Sequence, residues 1–257
     1  MNSLLFKGNL FLIIKKLFLL IFSLLFAFII ASCTKNSSQN LIYAVSGEFK
    51  PFSFVDDHGN LDGFDVALGK ILAHELSKKP SCIKYKFAGI IEGLKSNRFD
   101  LAIAGHTITP ERKKHVNFSI PYYYSGPQVF SRQKLENIDL NDKELAVSKG
   151  STYFDIAQKY TTQIKVYDSD HTALQALARG RHHAVITDKI VGQLAINSGL
   201  NIFSNQSLGV SEQGIAVSKE NTALLKKVND VLSKLKKNGK LKELSIKYLS
   251  VDVSKKN

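Results

Sequence analysis

With 257 residues, 44% of them hydrophobic and 22% charged, the chain is long enough for two modest domains and too apolar for a disordered segment. Lysine and arginine outnumber aspartate and glutamate by 35 to 22, a formal net charge of +13. No zinc-finger spacing, phosphate loop or aromatic-basic strand pair accompanies that charge, so nucleic acid is excluded as the expected partner.

The first segment reads as a leader. Lys7, Lys15 and Lys16 precede an apolar run over residues 17–30 that ends in Ile30-Ala31-Ser32-Cys33, with no acidic residue before it. Small residues immediately before a cysteine resemble a bacterial lipobox, which makes residues 1–32 a signal peptide and Cys33 the lipidated first residue of the mature chain. The alternative is a retained signal anchor over 10–30, which Lys15 and Lys16 interrupt. Removing the leader takes three lysines and leaves 32 basic against 22 acidic residues, a net charge of +10. Ten lysines lie between Lys226 and Lys256, either as the solvated faces of terminal helices or as a surface attracted to anionic lipid. With Cys33 lipidated, Cys82 has no partner for an intrachain disulfide.

After a polar tether, 33–40, a strand over 41–45 runs into a loop shaped by Gly47 and Pro51. A turn at Asp57-His58-Gly59-Asn60 leads to Asp65, which suits a helix start, and Leu68, Ile71, Leu72 and Leu76 follow at helical spacing. A strand over 83–87 and a short helix marked by Ile90, Ile91 and Leu94 come next. Residues 100–104 read as a short buried strand, Gly105 as a turn, and Thr107, Thr109 and Pro110 as start signals for a helix with Arg112 in its first turn. A cation is an odd choice there, because a helix N-terminus favours an anion. Either Arg112 pairs with Glu111 or solvent, or it grips a bound carboxylate that the free N–H groups of the helix start also meet.

Alternating strands and helices argue a parallel sheet covered on both faces, with ligands at the carboxyl ends of its strands. The extended run 118–127 breaks the pattern and suits a crossing between domains. The alternation then restarts: strand 145–148, Gly150-Ser151-Thr152 and a helix to Tyr160; strand 164–167 and a helix 172–178 stopped by Gly180; strand 184–187, Asp188 and a helix to Asn197 stopped by Gly199. Residues 209–216 read as a return crossing. Leu224, Leu225, Val228, Val231, Leu232 and Leu235 then mark a long amphipathic helix ended by Gly239, and a last helix runs to Tyr248. Two lobes crossed twice describe a hinged cleft that closes around a ligand.

Over 41–248 these segments resemble the periplasmic solute-binding proteins for polar amino acids, the extracellular component of ABC importers. The matching pieces are Phe49-Lys50-Pro51-Phe52, Gly63-Phe64-Asp65, Phe99-Asp100, Thr107-Ile108-Thr109-Pro110-Glu111-Arg112, Phe118-Ser119-Ile120-Pro121-Tyr122-Tyr123, Gly150-Ser151-Thr152 and the run from Gly180 to Asp188. The resemblance implies a type II periplasmic-binding-protein fold, α/β, each lobe a mostly parallel sheet flanked by helices. Lobe 1 is expected over 41–127 and 213–257, lobe 2 over 128–212. It further implies a ligand carboxylate on Arg112 and on the N–H groups of Thr107 and Thr152. The ammonium falls to Asp188, the Thr107 hydroxyl and the Gly105 carbonyl. Phe49 and Phe87 match aromatic positions that sandwich the ligand, and Ser148 and Ser151 match the second lobe's loop. Asp65 matches an acidic position of relatives that take basic amino acids, Ser46 replaces another, and Glu48 lies two residues along. That pattern implies a basic or polar ligand, arginine first, then lysine, histidine or glutamine, unless Asp65 merely caps its helix.

A free amino acid, a membrane permease and, through Cys33, the membrane are thus the expected partners of a monomer on the outer face of a bacterial cytoplasmic membrane or in a periplasm. No cofactor or metal is expected. His106 stands where the family usually has an apolar or small residue, either turned away or touching the ligand. His182-His183 replace a common apolar-Asp pair; adjacent in a strand, they face opposite ways and cannot form a metal pair alone. Two other functions compete. A few members of the fold are cyclohexadienyl dehydratases, for which Glu48, Asp65 or His106 is the acid by position, yet no nucleophile-base pair or catalytic carboxylate dyad stands out. A surface interaction lipoprotein would use the basic face and have lost its ligand residues, whereas Arg112, Thr107, Thr152 and Asp188 are all present. The expectation is a binding protein and not an enzyme.

Overall fold

The computed structural model describes residues 39–256, so the leader and Cys33 lie outside the described residues. The chain begins with β1 (Asn40–Val45), the short strands β2 (Glu48–Phe49), β3 (Ser53–Val55) and β4 (Leu61–Asp62), and α1 (Phe64–Glu75). Next come β5 (Lys79–Lys84), α2 (Ile90–Lys95), β6 (Leu101–Ala102), α3 (Pro110–His115) and β7 (Val116–Phe118). β8 (Tyr123–Ser125) leads across to β9 (Pro127–Ser131), β10 (Leu145–Ser148), α4 (Tyr153–Ala157), β11 (Ile164–Tyr167) and α5 (Asp170–Ala178). β12 (Ala184–Asp188), α6 (Lys189–Asn197) and β13 (Phe203–Ser207) follow. β14 (Ser211–Gln213) returns the chain to β15 (Ala216–Ser218), α7 (Thr222–Lys237) and α8 (Lys240–Leu249).

Two five-stranded sheets result, in the orders β5-β1-β6-β15-β7 and β11-β10-β12-β9-β13. In each, three strands run parallel and the two that border the crossings run antiparallel to their neighbours. The central strands are apolar on both faces because helices cover both. Leu41, Tyr43 and Val45 of β1 pack in one core with Leu68 and Leu72 of α1 and Val228 and Leu232 of α7. Ala44, one residue out of phase, packs on the other face with Ile90 and Leu94. In the second sheet Leu145 and Val147 meet Tyr153 and Ala157, while Ala146 faces Ala173, Leu174 and Leu177.

β8 and β14 pair with each other as a separate two-stranded ribbon, so both crossings run side by side. Just beyond β8, Gly126 lies so close to the Gly209 carbonyl that no side chain fits between them.

The observed elements differ from the sequence expectation where strands lie at sheet edges. β5 covers Lys79–Lys84 rather than 83–87: it pairs only with β1, so its exposed start needs no apolar pattern. Phe87 instead opens a single 3-10 turn, Phe87–Gly89. β9 and β13, one continuing the crossing and one a polar edge, were not expected as strands. α4 stops at Ala157, and α5 starts at Asp170 because Ser169 and Thr172 form a capping box. His182 and His183 precede β12 instead of lying in it. His182 Nδ1 faces Glu144 Oε1 at 2.8 Å and its Nε2 meets the Tyr167 hydroxyl at 2.5 Å, while His183 Nε2 lies 2.8 Å from the Asp139 carbonyl.

Candidate functional site

The loops after β1, β6, β10 and β12 meet where the two sheets face each other. Beyond β6 the chain turns at Gly105, in a left-handed conformation with φ of 63°, and enters α3. Thr109 caps that helix by accepting from the Arg112 N–H at 3.1 Å, and Pro110 takes the first position, where its missing N–H costs nothing. The Arg112 guanidinium is thereby aimed at the cleft. It donates to the Thr107 carbonyl of its own lobe at 3.0 Å and to the Gly150 carbonyl of the other at 2.9 Å, and it lies 5.8 Å from the Phe87 ring centroid. Glu111 does not pair with it, being engaged by Lys114 at 2.5 Å and His115 at 3.7 Å.

Further contacts join the lobes here. Thr107 and Thr152 hydroxyls lie 3.5 Å apart, and Gly150, with φ of 76°, fits against Ala88 so tightly that a Cβ would lie 3.0 Å from the Ala88 Cα. The lobes are in contact, and Arg112 bridges them.

Two carboxylates are sealed behind this contact. Asp65, in the first turn of α1, is 0% exposed and does not cap its helix, since the cap position belongs to Gly63. Its Oδ1 accepts from the Tyr122 hydroxyl at 2.9 Å, and that hydroxyl in turn accepts from the Gly105 N–H at 3.0 Å. Asp188, also 0% exposed, caps α6: Oδ1 accepts from the Ile190 N–H at 2.8 Å and from the Ser125 hydroxyl at 2.9 Å. The second oxygen of each, Asp65 Oδ2 and Asp188 Oδ2, is buried and has no hydrogen-bond partner among the described residues. Burial pushes both acids up to about 7, against the lowering influence of their hydroxyl donors. An unpaired buried carboxylate is costly, and a cation placed against it is the natural remedy.

His106 follows Gly105 at the same turn. It is buried, stacks on Phe87 with centroids 4.5 Å apart, and its Nδ1 has no partner among the described residues. Desolvation, and next the Arg112 charge, hold its pKa well below the usual histidine range, so the ring is neutral.

The remaining expected residues divide. Phe49 stacks on Phe52 at 5.0 Å, Phe52 on Tyr123 at 4.7 Å, and Gly105 has room for no side chain beside Phe49 and the Tyr123 hydroxyl. Ser148 points its hydroxyl at Asp170 Oδ1 at 2.9 Å, an atom that also accepts from Thr187 at 2.6 Å. Ser151 donates to the Ser148 carbonyl at 2.7 Å. These two serines brace the second lobe's loop through its own groups. A cavity of about 310 Å³ opens beside Arg112, lined by Ser148, Ser151, Thr152 and Asp155, and Asp65, Asp188, Phe49 and Phe87 are not among its walls. Tyr122, Ser125 and Asp170 were not expected here. The hydroxyl-rich run Tyr122-Tyr123-Tyr124-Ser125 was visible, but as a connector.

The structure thus presents one guanidinium at the cavity and, outside its walls, two buried carboxylates with one unmet oxygen each.

Residues 41–251 match the model of the bacterial extracellular solute-binding proteins, family 3. The L-cystine-binding protein TcyJ of Escherichia coli is 33% identical over 225 residues, 84% of each chain. The ABC transporter arginine-binding protein 1 of the same organism is 30% identical over 240 residues, 86% of this chain and 96% of the relative. An ancestral arginine-binding protein bound to arginine superposes with a TM-score of 0.77 at 34% identity, covering 82% of this chain and 98% of that one.

Proposed function

The chain belongs to the bacterial extracellular solute-binding proteins of family 3, and from that footing we propose that it captures a basic L-α-amino acid, arginine first, and delivers it to the permease of an ABC importer. The pair of buried carboxylates with one free oxygen each, Asp65 in the first lobe and Asp188 in the second, carries the reading. In this assignment Arg112 and the N–H groups of Thr107 and Thr152 take the ligand carboxylate, while Asp188, the Thr107 hydroxyl and the Gly105 carbonyl take the ammonium. Asp65 takes a guanidinium held between Phe49 and Phe87. A ligand anchored to both lobes favours the closed arrangement by its differential affinity. No group in the reading acts as nucleophile or base, and the protein is a carrier, not an enzyme.

Similarity to the cystine-binding relative supports a second ligand. Cystine has two zwitterionic ends, and its distal ammonium is a cation for Asp65.

Competition calorimetry across the twenty amino acids and cystine tests both. Arginine is expected to bind tightest; preference for glutamate or aspartate refutes the charge argument. Arg112→Ala or Asp188→Asn leaves the partner charge buried and unmet, at about 2–5 kcal/mol, at least roughly tenfold in affinity. The anchoring of the mature chain by lipid on Cys33, after removal of residues 1–32, rests on Ile30-Ala31-Ser32-Cys33. Cys33→Ser in a bacterial host is expected to abolish labelled-lipid uptake, and unchanged labelling refutes the anchor.

A further inference from the structure

The first crossing between the lobes carries more than backbone. Tyr122, just before β8, gives its hydroxyl to Asp65 of the first lobe; Ser125, the last residue of β8, gives its hydroxyl to Asp188 of the second. Only two residues of the crossing, Tyr123 and Tyr124, therefore separate the donors that hold the two sealed acids.

At Asp188 the backbone is already fixed by other means. Its residue pairs with Pro127 in the β12–β9 ladder, and the Lys189 N–H donates to the Gly126 carbonyl at 3.0 Å. The Ser125 hydroxyl is thus not needed to place the chain; it acts on the carboxylate itself. Both donors, Ser125 Oγ and the Ile190 N–H, converge on Oδ1. Two donors on one oxygen define the plane of the carboxylate and leave Oδ2 alone as the acceptor turned away from them. Ser125 is itself paired through its backbone to Ser211 of the return crossing, so its hydroxyl is referenced to the two-stranded ribbon that both crossings form.

We propose that Ser125 is a positioning residue: from the crossing strand its hydroxyl sets the Asp188 carboxylate so that the free oxygen receives the ligand's ammonium, tying ammonium capture to the geometry of the hinge. The inference rests on the reading of Asp188 as the ammonium anchor. Without Ser125 the carboxylate keeps its charge and its bond from the Ile190 N–H, but a single donor holds its plane less firmly, and pre-organisation of the contact is weakened.

The test compares the parent, Ser125→Ala and Ser125→Thr by calorimetry. The ligands are the amino acid that binds the parent tightest, L-arginine on our reading, and the same molecule without its α-amino group, guanidinopentanoic acid for arginine. Ser125→Ala is expected to weaken the amino acid roughly tenfold, the scale of one hydrogen bond to a charged group, while changing the deaminated acid by less than about twofold. Ser125→Thr, which keeps a hydroxyl, restores the amino acid. Equal weakening of both ligands indicates a general effect on folding or closure and overturns the proposal, as does unchanged binding of the amino acid or failure of Ser125→Thr to rescue. A parent that binds no amino acid overturns the ligand reading itself, a result distinct from any of these.

Discussion

Replacing Asp188 by Asn removes a buried charge without changing the shape of the site, and the structure fixes what that is worth. With the lobes in contact, burial holds the carboxyl at about 7 against an ordinary value of 3.8, and the neighbouring Asp170 adds to the rise. On the reading that closure is what buries Asp188, parting the lobes lets water reach the group and returns it towards the ordinary value. The raised value belongs to the closed form, so closure takes up a proton: its stabilisation is fully present below the ordinary carboxylate value and lost as pH rises through about 7. Above that point each pH unit of difference is worth about 1.4 kcal/mol, so the ligand-free closed form is disfavoured by about 4 kcal/mol. Asparagine keeps an oxygen for Ser125 and Ile190 and caps helices as well as aspartate, and the stronger hydrogen bonds of the charged form are already contained in the raised value. A gain of about 3–4 kcal/mol for the closed form follows, a factor of at least roughly a hundred in the ratio of closed to open molecules. Small-angle scattering of ligand-free protein reads this directly. Near pH 8 the variant is expected to show a smaller radius of gyration than the parent; acidifying both towards pH 5, which also neutralises Asp65, should shrink the parent by more than the variant and bring the two together. If the two coincide near pH 8 and acid shrinks the parent no more than the variant, burial of Asp188 does not oppose closure and the reasoning fails.

Two further changes act on other parts of the site. Asp65→Asn removes the first lobe's charge; it should cost arginine about 2–5 kcal/mol while leaving glutamine within a few-fold, and equal losses in calorimetry place Asp65 outside ligand discrimination. Gly150→Ala puts a Cβ 3.0 Å from the Ala88 Cα on a backbone with φ of 76°. It is expected to weaken binding at least roughly tenfold with an unchanged circular dichroism spectrum, the added strain being about 1–2 kcal/mol, and full affinity would show that this contact does not form on closure.

The interior of each sheet was legible in the sequence because its strands face apolar partners on both sides. Leu145-Ala146-Val147 and Ala184-Val185-Ile186 alternate between two buried layers, and runs of that kind have few other uses. α7 was legible for the same reason: Leu224, Val228, Val231, Leu232 and Leu235 recur at the helical period, and Gly239 follows with φ of 78°. The edges were not. Lys79-Pro80-Ser81 of β5 and Ser204-Asn205-Gln206 of β13 pair on one side only and need no hydrophobic pattern, so backbone hydrogen bonds alone assign them.

At the site, the charged residues announce themselves and their partners do not. Arg112 beside a helix start and Asp188 at a strand end are locally odd, and local oddity is what a sequence displays. Tyr122 reaches Asp65 across 57 residues and Ser125 reaches Asp188 across 63, contacts that only the assembled sheets create. Ser148 likewise gives its hydroxyl to an acid its own segment does not announce, Asp170, while it lines the cavity beside Arg112. A serine after a strand reports where a hydroxyl stands, not which acceptor it meets. Yet the unmet groups carry the functional information. Folding has satisfied the Oδ1 atoms of Asp65 and Asp188 and left both Oδ2 atoms buried without partners. A pair of such orphans costs several kcal/mol if nothing answers them, more than a fold of this size ordinarily leaves uncompensated. A cation for each acid, as the two positive groups of a basic amino acid supply, or a proton on each, meets the same need. On the proposed function, ligand and protons therefore compete for these oxygens, and each favours the closed lobes.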